Sequence, residues 1–204
     1  MRRGLRIAFT GAGGTGKTST VNKLAELDAF AHLPVMKSAS RVVYENKKLT
    51  EELVAKSTPD QKWALQGEIF NAKVLQDDFN MQFIADRTLL DHWAYCLMYC
   101  AADLPDDIFV KYEALVRKHM IAAYSHVFYF PWGYFFAESD GVRQDAKAWQ
   151  YAIDNIIMAR LNSWGIPAIE VPQTRGLDYR TGFIHAAITD AGKGSPERSE
   201  CEVE

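Results

Sequence analysis

The sequence predicts an α/β domain in which a five-stranded, mainly parallel sheet carries helices on both faces, and three observations lead there. Short apolar runs at residues 5–9, 33–36, 81–85, 125–130 and 166–171 alternate with longer stretches of helical period. The connections between those runs are too long for hairpins, which makes the strands mainly parallel. A glycine-rich turn over residues 11–18 joins the first apolar run to the first helical stretch.

That turn reads Gly11-Ala-Gly-Gly-Thr-Gly-Lys17-Thr18, the Gly-x-x-x-x-Gly-Lys-Thr spacing of a phosphate-binding P-loop. Gly11, Gly13, Gly14 and Gly16, with Thr15 among them, let successive backbone N–H groups curl around a phosphate chain. The helix that continues through Ser19 adds its dipole, Lys17 reaches the outer phosphates, and Thr18 is placed to hold Mg²⁺ through its hydroxyl. ATP and Mg²⁺ are therefore the expected cofactors, held by Gly11, Gly13, Gly14, Thr15, Gly16, Lys17, Thr18 and Ser19. A plain strand-to-helix turn needs neither the lysine, nor the threonine, nor four glycines.

A chain of 204 residues suits one well-cored domain, expected over residues 1–190, with an acidic disordered tail at 191–204. Apolar content of 48% with 24% charged residues is ordinary for a globular protein, and no apolar run approaches the roughly 18 residues of a membrane span. Nothing in the first residues reads as a signal peptide, so a cytoplasmic location is expected. Three cysteines, two of them (Cys96 and Cys100) one helical turn apart in an apolar segment, fit core packing in a reducing compartment better than a disulfide framework. The net charge of −3 gives no overall footprint for nucleic acid, although Lys37, Arg41, Lys47, Lys48, Lys56 and Lys62 make one mildly basic stretch.

After the P-loop helix, residues 33–36 read as the second strand and 38–45 as the start of a helix. Residues 46–57 lack a clear period and read as a loop or a frayed helix. Thr58-Pro59-Asp60 is a capped helix start, and the helix it opens should carry Trp63, Phe70 and Val74 on one side and run to about Asp77. Residues 81–85 form the third strand, ending at Asp86-Arg87-Thr88. A core-facing helix follows with Leu90, Trp93, Ala94, Leu97 and Met98. Asp106 opens another, with Ile108, Tyr112, Leu115 and Val116 as its apolar set. Residues 125–130 are the fourth strand, 131–145 an aromatic-rich loop, and a long helix from Trp149 ends at Gly165. The fifth strand is 166–171, and 179–190 make the last helix.

Ligands of such sheets bind at the carboxyl ends of the strands. Gly11–Thr18, Ser38–Arg41, Asp86-Arg87 and the loop 131–143 should thus open onto one crevice. Asp86 ends a strand beside the P-loop strand, where a carboxylate serves Mg²⁺, its water ligands or the proton of an attacking hydroxyl; a plain helix N-cap is the alternative. Arg87 can grip a phosphate or carboxylate in two-pronged fashion, with Asp91 one turn on to orient it by a salt bridge. Arg143 either closes over the phosphates or pairs with Asp140 or Asp145 on the surface, and Arg41 carries the same two readings. Tyr129, Phe130, Trp132, Tyr134, Phe135 and Phe136 either stack a base or fill the core. No strand ends in the Asp-Glu pair that activates a hydrolytic water, which favours transfer to an acceptor. The histidines show no ligand spacing.

Together, the P-loop, Ile-Ala-Asp86-Arg87-Thr-Leu-Leu-Asp91-His-Trp-Ala-Tyr95, Asp140-Gly-Val-Arg143 and Gly165-Ile-Pro-Ala-Ile-Glu-Val171 resemble the P-loop kinase-type ATPases related to the ribosylnicotinamide kinase domain, many of them viral. The sequence is more distantly similar to deoxynucleoside and thymidylate kinases. The resemblance covers residues 5 to about 188. It implies Lys17, Thr18 and Asp86 around Mg-ATP, Arg87 and Arg41 toward the acceptor, and Arg143 as a lid arginine. Where the family commonly has a glutamate three residues before the aligned arginine, this chain has Ser38. Proton removal then falls to Asp86, or is unnecessary because the acceptor is already a phosphate.

The expected function is transfer of the γ-phosphoryl of Mg-ATP to a nucleoside, nucleotide or nucleoside-like hydroxyl. Lys17, Asp86, Arg87 and Arg143 are the expected catalytic residues, Ser38, Arg41, Trp63, Gln66 and Arg87 the acceptor-binding ones, and Thr18 and Asp86 the metal ligands. Two alternatives stand beside it: a kinase acting on a hydroxymethylated pyrimidine base within phage DNA, and a nucleotide-dependent binding switch with slow hydrolysis. The acceptor is a small molecule in the leading reading, no membrane is involved, and both monomer and homodimer are open.

Overall fold

The computed structural model describes residues 4–100, 102, 105–133, 146–173 and 175–191. Its elements in chain order are β1 (Arg6–Thr10), α1 (Lys17–Ala25), β2 (Val35–Met36), α2 (Ala39–Lys47), α3 (Glu51–Ala55), α4 (Pro59–Phe79) and β3 (Phe83–Asp86). There follow α5 (Leu89–Cys100), α6 (Asp106–Ala123), β4 (His126–Tyr129), α7 (Lys147–Ser163), β5 (Ala168–Glu170) and α8 (Leu177–Ala191). The strands form one sheet in the order β2-β3-β1-β4-β5, and every neighbouring pair is parallel. The five-stranded sheet expected from the sequence is thus present, and its order reverses beside β1.

β1 is buried throughout because it lies in the middle of the sheet. Its period of two divides the core. Ile7 and Phe9 pack with Val21 and Leu24 of α1, Phe128 of β4, and Ile184 and Ile188 of α8, while Ala8 faces Phe83 and Ala85 on the other side. A second cluster gathers α5, α6 and α7 around the fully buried Trp93, whose ring lies 6.0 Å from both Phe109 and Trp164. The Arg160 guanidinium sits 5.2 Å from the centre of the same indole, a cation–π contact in the same cluster.

Helix ends follow local chemistry. Thr58 Oγ1 accepts the Gln61 N–H at 3.3 Å while Gln61 Oε1 accepts the Thr58 N–H at 2.9 Å, a capping box that starts α4 with Pro59 at its first position. α7 stops at Gly165, whose φ of 66° lets the Ile166 N–H return to Leu161 O at 2.9 Å. Thr50 accepts from Leu53 N at 3.3 Å and opens the one-turn helix α3 inside the stretch expected to be loop or frayed helix. In α6 the buried stripe is Tyr112, Val116, Met120 and Ala123, and Leu115, expected on the apolar face, is 53% exposed. Leu115 lies about 100° round the helix from Val116, which turns it away from the sheet.

Under α4 and α6 lies a buried polar group that the sequence did not reveal. Lys73 donates to Asp77 Oδ1 at 2.8 Å, and Asp77 Oδ2 pairs with His119 Nε2 at 2.8 Å and accepts the Tyr124 hydroxyl at 2.6 Å. Burial pulls the Lys73 ammonium below its ordinary value despite Asp77. Burial alone would push Asp77 up, but the bonds from His119, Lys73 and Tyr124 outweigh it and hold the carboxylate below its usual range. Lys73→Met leaves that carboxylate without its ammonium, so urea unfolding at neutral pH should show a loss of about 3–5 kcal/mol. The deficit should shrink in acid, where Asp77 of the variant takes up a proton.

Candidate functional site

The crevice lies at the carboxyl ends of β1 and β3, where Phe9 pairs with Asp86 across the ladder. The chain leaves β1 through Gly11, whose φ of 141° and closeness to the Phe130 carbonyl leave no room for a Cβ. Gly16, at φ 81°, would set a Cβ 2.6 Å from an Arg180 guanidinium nitrogen on α8. These two glycines let the loop curl between β4 and α8. Lys17, 5% exposed, donates its ammonium to Gly11 O at 2.7 Å, to Ala12 O, and to Thr15 Oγ1 at 2.9 Å. At the mouth of the loop Thr18 Oγ1 donates to Asp86 Oδ2 at 2.7 Å.

Asp86 is not the N-cap of α5. Thr88 takes that place: Asp91 Oδ2 accepts from Thr88 N at 2.8 Å and from Thr88 Oγ1 at 2.7 Å, and Asp91 N donates to Thr88 Oγ1 at 3.4 Å. The other oxygen of Asp91 accepts the Gly11 N–H at 3.0 Å, which ties the start of the P-loop to the start of α5. Its expected salt bridge to Arg87 is present but long, at 3.8 Å.

Arg87 itself has φ 96°, a left-handed conformation that a side chain rarely takes. Three contacts hold it there: its N–H donates to Phe9 O at 3.1 Å, its guanidinium lies 5.0 Å from the Tyr95 ring centre, and Asp91 faces it. Burial disfavours its charge, yet Tyr95, Asp91 and Asp86 outweigh that and hold the guanidinium above its ordinary value. Arg87 stays charged.

Ser38 and Arg41 follow the edge strand β2, outside β3 in the sheet. Ser38 is buried, its hydroxyl 2.9 Å from that of Ser40, and it lies at the N-terminus of α2. On α4, Gln66 is 4% exposed, and the Trp63 ring packs edge-on against Tyr112 at 5.8 Å. Phe130 packs edge-on against Phe9 at 5.4 Å in the core, Tyr129 bonds Asp154, and the Trp132 ring lies 6.2 Å from that of Tyr151. Arg143, Asp140, Tyr134, Phe135, Phe136 and the tail at 192–204 lie outside the described residues. Cys96 and Cys100 are both buried thiols, and among the described residues no group of three or more His, Cys, Asp or Glu is arranged to hold a metal ion.

Two side chains of α7 also reach the loop, one turn apart. Gln150 Oε1 accepts from Gly13 N at 2.7 Å and from the Tyr95 hydroxyl at 3.3 Å, so α7, the P-loop and the ring beneath Arg87 share one oxygen. Asp154 accepts the Tyr129 hydroxyl at 2.9 Å, and burial pushes its carboxyl above the usual range against the pull of Tyr129, the Trp132 and Ala12 amides and Lys17. A carboxyl raised in the folded state stabilises the fold below its unfolded value of about 4 and loses that contribution as pH rises through the folded value. The stability of Asp154→Asn relative to the unsubstituted protein should therefore rise between pH 4 and neutrality in denaturant titrations.

Known proteins frame this site. The chain superposes on a NadR protein solved with NAD and AMP-PNP at a TM-score of 0.63 and 16% identity, covering 97% of this chain and 52% of that one. It spans about half the length of that relative. A deoxyadenosine kinase from M. mycoides with bound dATP gives 0.64 at 13% identity, covering 91% of this chain and all of that one. The same kinase with dCMP and a flexible dCDP gives 0.67 at 14%, with 92% of this chain covered. At such identities the likeness is one of fold. No curated protein sequence matches. Residues 6–178 match the model of a family described as the AAA domain, and with a complete P-loop ending β1 of a parallel sheet, the chain belongs to that family.

Proposed function

We propose that this chain is an ATP-dependent phosphotransferase that moves the γ-phosphoryl of Mg-ATP to a nucleoside, a nucleotide or a nucleoside-like hydroxyl, with residues 1–190 as its kinase-like domain. The observation that carries the reading is the 2.7 Å bond between the Thr18 hydroxyl and the Asp86 carboxylate, with the charged Arg87 next in the chain. Two hard oxygen donors meeting at the P-loop mouth suit Mg²⁺, which takes one or two protein oxygens and completes its shell with phosphates and water. When bound, Mg²⁺ neutralises charge developing on the phosphoryl oxygens.

The residues divide the remaining work. Backbone N–H groups from Gly14 to Ser19 cradle the phosphates, those of Gly11 and Gly13 being held by Asp91 and Gln150, and the Lys17 ammonium, now on loop carbonyls, turns to the outer ones. Arg87, stacked over Tyr95, would present its guanidinium to the acceptor, and Ser38, Arg41, Trp63 and Gln66 are the residues we assign to binding the rest of it. Asp86 takes the acceptor hydroxyl's proton, or leaves that role when the acceptor is itself a phosphate. Arg143 serves as a lid arginine over the transferred group.

The neighbours solved with nicotinamide and deoxyadenosine nucleotides support an acceptor of nucleoside type. The basic stretch of α2 to α4 offers modified DNA less charge than its composition suggests, since Lys47 pairs with Glu68 at 2.9 Å and Lys56 with Glu52.

Transfer from γ-labelled ATP, scored against nucleosides, nucleoside monophosphates and modified DNA, should label one of the first two classes. Turnover that stays slow across the whole panel would replace the kinase with a nucleotide-dependent switch. Lys17→Ala should abolish transfer in a folded protein, and an unchanged rate there would overturn the mechanism. Arg143→Ala should lower kcat at least tenfold with a modest loss of ATP affinity, since its charge acts on the transferring group.

A further inference from the structure

Two side chains anchor the P-loop from the protein side, and they differ in charge. Asp91, fully buried, takes the Gly11 N–H. Gln150, 4% exposed in the first turn of α7, takes the Gly13 N–H at 2.7 Å. A Cβ on Gly13 would stand 2.9 Å from Gln150 Oε1, so the carboxamide lies directly against the loop. Its own backbone is held too: Gln150 N donates to Ala146 O at 3.1 Å, and the neighbouring Trp149 ring lies 5.1 Å from that of Tyr99 on α5.

The same oxygen accepts the Tyr95 hydroxyl at 3.3 Å, and the Arg87 guanidinium lies 5.0 Å from the centre of the Tyr95 ring. One neutral acceptor therefore meets both the phosphate loop and the ring under the arginine that follows Asp86. Neutrality matters at this position. A carboxylate would accept the same two bonds but set a negative charge against a loop that receives phosphates. An apolar side chain of that size would leave the Gly13 N–H buried and unpaired.

We propose that Gln150 is a positioning residue for phosphoryl transfer, setting the curl of the P-loop at Gly13 and the place of Arg87 at Tyr95 from one shared oxygen. The inference rests on the kinase reading given above and adds a residue to it. Gln150 acts at one remove: its effect reaches the phosphates through the Gly13 amide and the guanidinium through the Tyr95 ring. Transfer needs both in place at once, because a displacement of about 1 Å can cost about a hundredfold in rate. Binding of nucleotide alone asks less, since in that reading the amides from Gly14 to Ser19 and Lys17 hold the phosphates without it. Loss of the glutamine oxygen therefore falls on kcat more than on affinity.

The test compares Q150L, Q150E, Y95F and the double variant Q150L/Y95F, each with unchanged far-UV circular dichroism. Transfer from γ-labelled ATP to the acceptor that labels best is measured at about pH 8, beside the affinity for Mg-ADP by calorimetry. Q150L should lose at least about tenfold in kcat and less than about threefold in affinity. Y95F keeps the ring and removes only the hydroxyl, so it should lose about threefold in kcat; the double variant should be no slower than Q150L, because both changes break one contact. Q150E should recover most of the lost kcat while binding Mg-ADP more weakly than Q150L, a split that a brace serving stability alone does not give. A folded Q150L with kcat within about twofold of the unsubstituted protein would overturn the proposal, as would losses that multiply in the double variant or a Q150E no faster than Q150L. Should Q150L not fold, the other two single variants decide: an unchanged kcat in Y95F, or an undiminished Mg-ADP affinity in Q150E, would overturn it. If the unsubstituted protein labels no acceptor, the kinase reading fails, and the same comparison on release of phosphate from ATP into water judges Gln150 separately. A protein that does neither overturns both.

Discussion

One buried carboxylate fixes the geometry on which the crevice depends. Asp91 is fully buried, and a charge so placed is tolerated only when its oxygens are satisfied. It accepts from the amide and the hydroxyl of Thr88, from the amide of Gly11, and faces Arg87. Those partners come from two neighbouring strands. The end of β1 and the end of β3 cannot shift against each other without leaving a bond of this carboxylate unmade, and an unmade bond to a buried charge costs several kcal/mol. The start of the P-loop, the start of α5 and the strained turn at Arg87 are thereby one rigid unit.

Around that unit the sheet does the positioning. The reversal of strand order beside β1 opens the crevice over the carboxyl ends of β1 and β3, and the strands on either side bring Ser38 and Arg41 to one side and Tyr129 to the other. Gln150 and Asp154 then brace the loop from α7, the helix that follows the residues carrying Arg143. Any movement of that helix is felt at Gly13 and, through Tyr95, beneath Arg87. One glutamine oxygen thus links α7 to the P-loop and to the ring beneath Arg87.

Polar burial recurs behind the site. Lys73, Asp77, His119 and Tyr124 satisfy one another, while burial, with Arg87 and Lys73 close by, keeps the His92 imidazole well below its ordinary value and hence neutral. Adding a proton there would place a third cation between two others. Such a network adds little net stability over an apolar core, but it permits few alternative packings of α4, α5 and α6.

The P-loop, the strand alternation and the helix start at Thr58 are legible in the sequence, because each rests on local spacing: phosphate cradles, periodicity and caps act over a few residues. Between loop and frayed helix the sequence does not decide at α3, because five residues carry too little period, and Leu115 faces solvent rather than the expected core because one step round a helix separates the two. The Thr88-x-x-Asp91 spacing could have been read as a capping box, which would have freed Asp86 from the capping alternative at once. Which acceptors meet the loop amides was beyond any such reading. Gln150 lies 137 residues from Gly13 and Asp91 lies 80 from Gly11, so only the folded packing of α5 and α7 against the sheet brings them together. Local chemistry named the phosphate site, and long-range packing decided what holds it in shape.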